Sequence, residues 1–291
     1  MGLPYLFGTV FGAEGRLFIF KRDSTWVDAQ SDLGVQYLLP RNNYIRVLWE
    51  NKSSFLQKID TIRLLSARRL PDNLDFRQNG FGLETYLSRL DARFNPRQGW
   101  QLKWKAIAGF RRIVRNGTIE ALRVPSEPGF RFSNLYDALE QRSTRFRVEI
   151  SADWFIPLFQ RSTLKCSVQG GGIFSKKPVL QNEQYRLGGN KRLRGFNEES
   201  LFATRFVINT LEYRLLLGRN SFLAAFADWA YLENVTTTQS IYLKPLGLGM
   251  GINFETKAGI FGISVAVGST NTRPSFDLRA AKFHLGYVSL F

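Results

Sequence analysis

Few residues in this chain could carry covalent chemistry. Among 291 residues there is one histidine, His284, and one cysteine, Cys166. A hydrolytic site needs a nucleophile, a base and an orienting acid within reach, and no serine and acid partners of His284 are evident. A lone Cys166 excludes an intramolecular disulfide framework. With no Cys/His cluster there is no zinc site to build, so no metal or other cofactor is expected. A dinucleotide loop would need a helix after Gly247-Leu-Gly249-Met-Gly251, and the pattern that follows is not helical. Those glycines fit a strand that bends or that admits another backbone closely.

Charge is the remaining chemistry. Lys and Arg number 40 against 24 Asp and Glu, a formal +16, with pI near 10.2. The cations are spread along the chain, some in predicted loops (Arg68-Arg69, Arg111-Arg112) and others alternating with apolar residues. No basic helix, zinc finger or RNA-recognition signature accompanies them, so nucleic acid is not an expected partner. A lumen lined with cations and loops facing anionic lipid headgroups account for the excess.

The elements that position these charges are strands. No window holds the roughly 18 uninterrupted apolar residues of a membrane helix, whereas a membrane strand needs only about 9–11 residues with alternate ones apolar. Leu246, Leu248, Met250, Ile252 and Phe254 fall on one face of a strand, with Gly247, Gly249, Gly251, Asn253 and Glu255 on the other. The same split recurs for Trp100, Leu102, Trp104, Ala106 and Phe110 against Gln101, Lys103, Lys105 and Arg111. It recurs again for Phe146, Val148, Ile150, Ala152 and Trp154 against Arg145, Arg147, Glu149, Ser151 and Asp153. Trp100, Trp154, Trp229 and Tyr231 lie at strand margins on the apolar face, where interfacial anchors belong. Short turns near 40–42, 157–161, 218–220 and 256–258 are interleaved with long loops near 57–77, 113–143, 175–203 and 233–244, the asymmetry of a barrel with periplasmic turns and extracellular loops.

Thirteen strands are predicted, over 3–11, 14–22, 25–39, 43–56, 79–90, 99–112, 144–156, 161–174, 203–217, 220–232, 245–255, 258–269 and 278–291. The fold class is therefore all-β, an antiparallel transmembrane β-barrel of about 12–16 strands occupying residues 1–291 as one domain. An odd count is unusual for a single-chain bacterial barrel. Either an N-terminal hairpin is miscounted or the chain begins part-way around the barrel, in which case its first strand is not expected to close on 278–291. The N-terminus also lacks the features of a secretory signal.

The most specific stretch is Tyr185 to Thr204. Gly188-Gly189 followed by Leu193-Arg194-Gly195-Phe196 resembles the signature of the long sixth extracellular loop of the BamA/TamA-like outer-membrane insertase superfamily, which also includes two-partner secretion transporters. Asp91 to Gly99, Asn209 to Arg214, Phe226 to Asp228 and Gly247 to Gly251 extend the resemblance over roughly residues 80–291. The resemblance implies that the loop folds back into the lumen and that Arg194 meets acidic groups on the inner wall. The strand pattern supplies candidates. With Val207, Leu211, Tyr213 and Leu215 facing lipid, Glu212 faces inward, and with Leu223, Ala225, Ala227 and Trp229 facing lipid, so does Asp228. The alternative is that Arg194 sits in a solvated surface loop and both carboxylates are ordinary lumen charges.

The resemblance further implies a protein of the bacterial outer membrane, in contact with outer-membrane lipids and lipopolysaccharide. Its partners would be unfolded outer-membrane or secreted client polypeptides and accessory assembly lipoproteins. Phe291 resembles the aromatic ending that assembly machinery recognises, although Ser289 departs from the usual pattern. Family members carry periplasmic POTRA modules, and none is expected in this chain. The expected function is non-enzymatic assembly or translocation of polypeptide. A pore or structural surface barrel is the second hypothesis, and a hydrolase using His284 the third.

Overall fold

The computed structural model describes residues 2–3, 5–22, 25–137, 139, 142–236, 240–270 and 275–289. The strands are β1 (Gly2–Leu3), β2 (Phe11–Arg22), β3 (Trp26–Leu39), β4 (Asn43–Leu56), β5 (Phe76–Leu90), β6 (Gly99–Ile113), β7 (Arg142–Phe159) and β8 (Ser162–Phe174). They continue with β9 (Tyr185–Leu187), β10 (Leu201–Ala203), β11 (Arg205–Leu216), β12 (Phe222–Val235), β13 (Ser240–Leu243), β14 (Leu246–Glu255), β15 (Ile260–Ser269) and β16 (Lys282–Val288). One antiparallel sheet runs β1 to β8 in sequence and then β11, β12, β14, β15 and β16, with β13 added to β12. The hairpin of β9 and β10 is separate. Among the described ladders β16 pairs only β15, and β1 only β2, so no ladder closes the sheet.

The distribution of polarity identifies the solvent. On the outer face Phe81 and Leu285 are 71% and 77% exposed, whereas inward Arg46 and Asp228 are 0% and 1% exposed. That arrangement is inverted relative to a soluble protein, in which charges stay wet and large apolar side chains are buried. It is the arrangement of a barrel in lipid, where alternate residues of each strand meet hydrocarbon. The strands β3 to β8, β11, β12 and β14 are laddered on both sides along most of their length, as a low-dielectric surrounding requires.

Three short helices, α1 (Thr61–Ala67), α2 (Gly117–Glu120) and α3 (Phe132–Asp137), fold over the long-loop end. Asp60 caps α1 by accepting from Arg63 N at 3.0 Å, and Asn116 caps α2 by accepting from Thr118 N at 3.1 Å. Their apolar residues, Leu64, Ile119, Phe132 and Tyr136, share a small core with Leu74 and Ile113 at the strand ends.

Two sequence expectations need correction. Residues 3–11 are not a strand, because Leu6–Gly8 is a 3-10 turn and Gly8 takes φ +73°, which ends any extended run. The strand begins instead at Phe11 and passes straight through residues 12–13, expected to lie between two strands. Similarly, the last strand starts at Lys282, since Leu278–Ala280 forms a 3-10 turn capped by the Asp277 side chain, which accepts from Arg279 N at 2.9 Å. Phe291 lies outside the described residues.

Candidate functional site: a loop held against the lumen wall

The segment between β8 and β11 leaves the rim and turns inward. Tyr185 and Leu187 on β9 and Ala203 on β10 are buried, and they pack with Leu193 against Ile173, Phe206, Ile208, Ala230 and Leu232 on the inner face of β8, β11 and β12. Burying a Leu or Ile side chain contributes about 1.5–3 kcal/mol relative to leaving it exposed, so this apolar patch alone draws the loop down. The tip needs unusual backbone. Gly188, Gly189 and Gly195 have φ of +103°, +101° and +92°, and Leu193 takes φ +64°. The left-handed Leu193 is tolerated because its side chain is 1% exposed, locked in that apolar patch.

Arg194 then meets both predicted carboxylates. Its Nε and Nη2 donate to Asp228 Oδ2 and Oδ1, each at 2.8 Å, forming a bidentate fork. Its Nη1 donates to Glu212 Oε2 at 2.6 Å, and its backbone N donates to Asp228 Oδ2 at 2.9 Å. The guanidinium carbon lies 3.4 Å from the centroid of the Phe226 ring, adding a cation–π contact. The carboxylates are themselves held. Thr210 Oγ1 donates to Asp228 Oδ1 at 2.8 Å, and Arg214 Nε donates to Glu212 Oε1 at 2.8 Å. Arg214 Nη1 donates in turn to Asn95 Oδ1 at 3.3 Å, tying the cluster to the 91–98 turn. The solvated-loop alternative is therefore set aside.

Glycine makes room for this approach. A Cβ on Gly247 would lie 1.9 Å from Arg194 O, and one on Gly268 would lie 2.6 Å from Gly195 O. Gly247 on β14 and Gly268 on β15 thus open a slot in the wall in which the loop backbone seats, the close-approach use expected of strand glycines. His284 serves the same seat, accepting a hydrogen bond from Gly195 N at 3.2 Å. Gly188 and Gly189 shape the turn instead, and Asn190 on that turn donates through Nδ2 to Leu285 O on β16 at 3.3 Å. Phe196 packs against the apolar patch and beside Gly268.

Two further anchors escaped sequence reasoning. Glu183, just before β9, is buried between Arg111 on β6 at 3.2 Å and Arg145 on β7 at 3.3 Å. Arg186 reaches the opposite wall, forming an ion pair with Asp28 on β3 at 3.1 Å and stacking 4.0 Å from the Phe20 ring centroid on β2. The loop thereby touches both ends of the sheet. The alternation of Tyr185, Arg186 and Leu187 was the available signal, since it marks a short strand with Arg186 facing away from the apolar patch. Below the tip a cavity of about 590 Å³ lies between the wall of β8, β11 and β12 and the inner face of β14 to β16.

A single antiparallel sheet with apolar exterior, charged interior and an inserted extracellular loop defines a transmembrane β-barrel of the bacterial outer membrane. Residues 25–287 match the Omp85 superfamily domain, and the chain belongs to that family. It is similar in fold to BamA from Haemophilus ducreyi lacking POTRA domains 1–3, with a TM-score of 0.63 and 11% identity over 98% of this chain and 59% of that one. It is also similar to CdiB from Escherichia coli, with a TM-score of 0.52 and 13% identity over 94% of this chain and 48% of the other. CdiB from Acinetobacter baumannii gives a TM-score of 0.51 at 13% identity, covering 96% and 43% respectively. This chain thus spans less than two thirds of the length of each. No curated protein sequence matches it.

Proposed function

We propose that this barrel moves polypeptide into or across the outer membrane without catalysing bond chemistry, with the inserted loop as its internal brace. The observation carrying this reading is the clasp of Arg194 on Asp228 and Glu212, seated in the slot at Gly247 and Gly268. A loop that crosses the lumen and is tied at both walls narrows it, which favours this reading over a wide, permanently open pore. Membership of the Omp85 superfamily and the likeness of the fold to BamA and CdiB support the same reading. Its clients would be unfolded outer-membrane or secreted chains. His284, the one imidazole, is committed to Gly195 N, which leaves it a poor general base.

The test is reconstitution of the full chain into lipid vesicles, followed by addition of a urea-unfolded outer-membrane barrel client. Faster acquisition of protease protection by the client than in empty vesicles is expected. Equal rates would overturn the proposal. The second reading, a pore or structural barrel, is separated by conductance. Arg194→Ala should open a braced lumen, whereas a constitutive pore should conduct the same current with or without the substitution.

A further inference from the structure

We propose that the outer rim of β5, β6 and β7 binds the phosphate groups of a phosphorylated glycolipid in the outer leaflet. The strand register sets Arg77 opposite Arg112, and Arg112 opposite Arg142. All three are exposed on the outward face, alternating with the buried inward residues Gln78, Arg111 and Ser143. Side chains directly opposite across a ladder have Cβ atoms about 4.5–5.5 Å apart, and like charges so placed oppose pairing. Three guanidinium groups in one row therefore work against the sheet unless an anion joins them.

Among the described residues the protein supplies no such anion. Among the described residues no carboxylate forms an ion pair with Arg77, Arg112 or Arg142. Asp75, two positions before Arg77, already accepts from Leu56 N at 2.6 Å and Asn116 Nδ2 at 2.9 Å. The same strand ends show what compensation looks like. On the inner face Arg111 and Arg145 share Glu183, and on the rim of β11 Arg205 has Glu233 at 3.4 Å. In the outward row three cations stand together, and among the described residues none has a carboxylate partner.

Its level selects the ligand. One row further into the membrane, Asn51 and Asn79 are hydrogen-bonded to each other at 2.6 Å beside Phe110 and Thr144. The row below that is Trp49, Phe81, Ala108 and Phe146, and it is apolar. The arginines thus stand where the outer face changes from apolar to polar, at the end that carries the long loops and hence in the outer leaflet. Arg142 is steadied by the Phe110 ring, 4.8 Å from its guanidinium carbon. A guanidinium binds phosphate through two parallel charge-assisted bonds. A row spanning roughly 10 Å at ordinary strand spacing suits a headgroup carrying more than one phosphate better than a single phosphodiester. This inference rests on the membrane orientation and is independent of the assembly function.

Native mass spectrometry of the full chain in detergent, with bisphosphorylated lipid A as probe, tests it. Fully dephosphorylated lipid A and phosphatidylglycerol form the parallel arms. The triple variant Arg77→Ser, Arg112→Ser, Arg142→Ser should lose about a hundredfold in lipid A affinity, and each single variant about fivefold, as expected for charges near an anionic surface. Arg205→Ser, which removes a compensated rim cation, should leave binding unchanged, and the dephosphorylated probe and phosphatidylglycerol should not distinguish wild type from the triple variant. Wild-type lipid A binding by the triple variant would overturn the site. So would a phosphatidylglycerol affinity equal to that for lipid A, or an equal loss in Arg205→Ser. Should the triple variant fail to show the heat-modifiable mobility of a folded barrel, the single variants decide by the same criteria.

Discussion

The two halves of the inner wall handle charge in opposite ways. In the clusters around Glu50 and Arg46 on β2 to β7, acids and bases both belong to the wall. Glu50 meets Lys105 at 2.9 Å and Arg147 at 2.6 Å, while Arg46 meets Glu14 at 2.8 Å and lies within 4 Å of Asp32 and Glu84. On β11 and β12 the wall presents Glu212 and Asp228 with Arg214 alone among its own strands as a close cation, and the missing guanidinium arrives from a loop. Elsewhere on this half the loop does add charge, Glu183 between Arg111 and Arg145 and Arg186 against Asp28, but the Glu50 and Arg46 clusters need none from it. A wall left acidic is a socket, and the loop is what fills it.

The largest effect that could break this comparison is on the socket. Arg194→Ala strands Asp228 and Glu212, and should destabilise the barrel by about 3–5 kcal/mol, as breaking a buried pair by removing one partner does. The measurement is the urea midpoint of tryptophan fluorescence in detergent. A loss no greater than that of a surface arginine would mean the socket is wet and the two halves are not different in kind.

Gly247→Ala tests the slot without touching any charge. Its Cβ cannot coexist with Arg194 O, so the loop must shift or the strand must bend, at about 1–3 kcal/mol, the usual range for overpacking. Limited proteolysis should cut within residues 189–199 faster than in wild type, and an unchanged cleavage rate would place the loop elsewhere.

On the self-neutralised wall Arg46→Ala should cost less than Arg194→Ala, about 1–2 kcal/mol, because Arg16, Lys103 and Lys105 still serve the same carboxylates. Proteolysis of the loop should stay at the wild-type rate. A cost exceeding that of Arg194→Ala would reverse the contrast between the halves. The smallest effect is expected for Arg186→Ala. Its ion pair with Asp28 is not aligned as a hydrogen bond, Lys52 remains as a second cation acting on the buried Asp28, and the stacking on Phe20 is a modest contact, so about 1 kcal/mol is lost. Measured beside Arg194→Ala, it shows how unequal the two ends of the loop are.

The sequence by itself determined which residues face lipid and which face the lumen. The period of two needs no tertiary information, so the inward placement of Glu212 and Asp228 follows from Leu211, Tyr213, Ala225 and Ala227 alone. The glycine alternation of 247–251 likewise announced that something approaches closely. What the alternation could not reveal was contact across the lumen. Glu183 finds Arg111 and Arg145 at separations of 72 and 38 residues, and Arg186 finds Asp28. These meetings depend on how the sheet curves and how deep the loop sits, which the period of a single strand does not encode. The misread N-terminal hairpin has a related cause. Residues 3–11 alternate well enough for a strand, but the 3-10 turn at Leu6–Gly8, with Gly8 left-handed, interrupts it, and the pairing of Phe11–Arg22 with β3 begins only after it. Local pattern assigns faces because side-chain direction is a local property of an extended backbone, whereas partners are assigned by the curvature of a sheet built over more than two hundred residues.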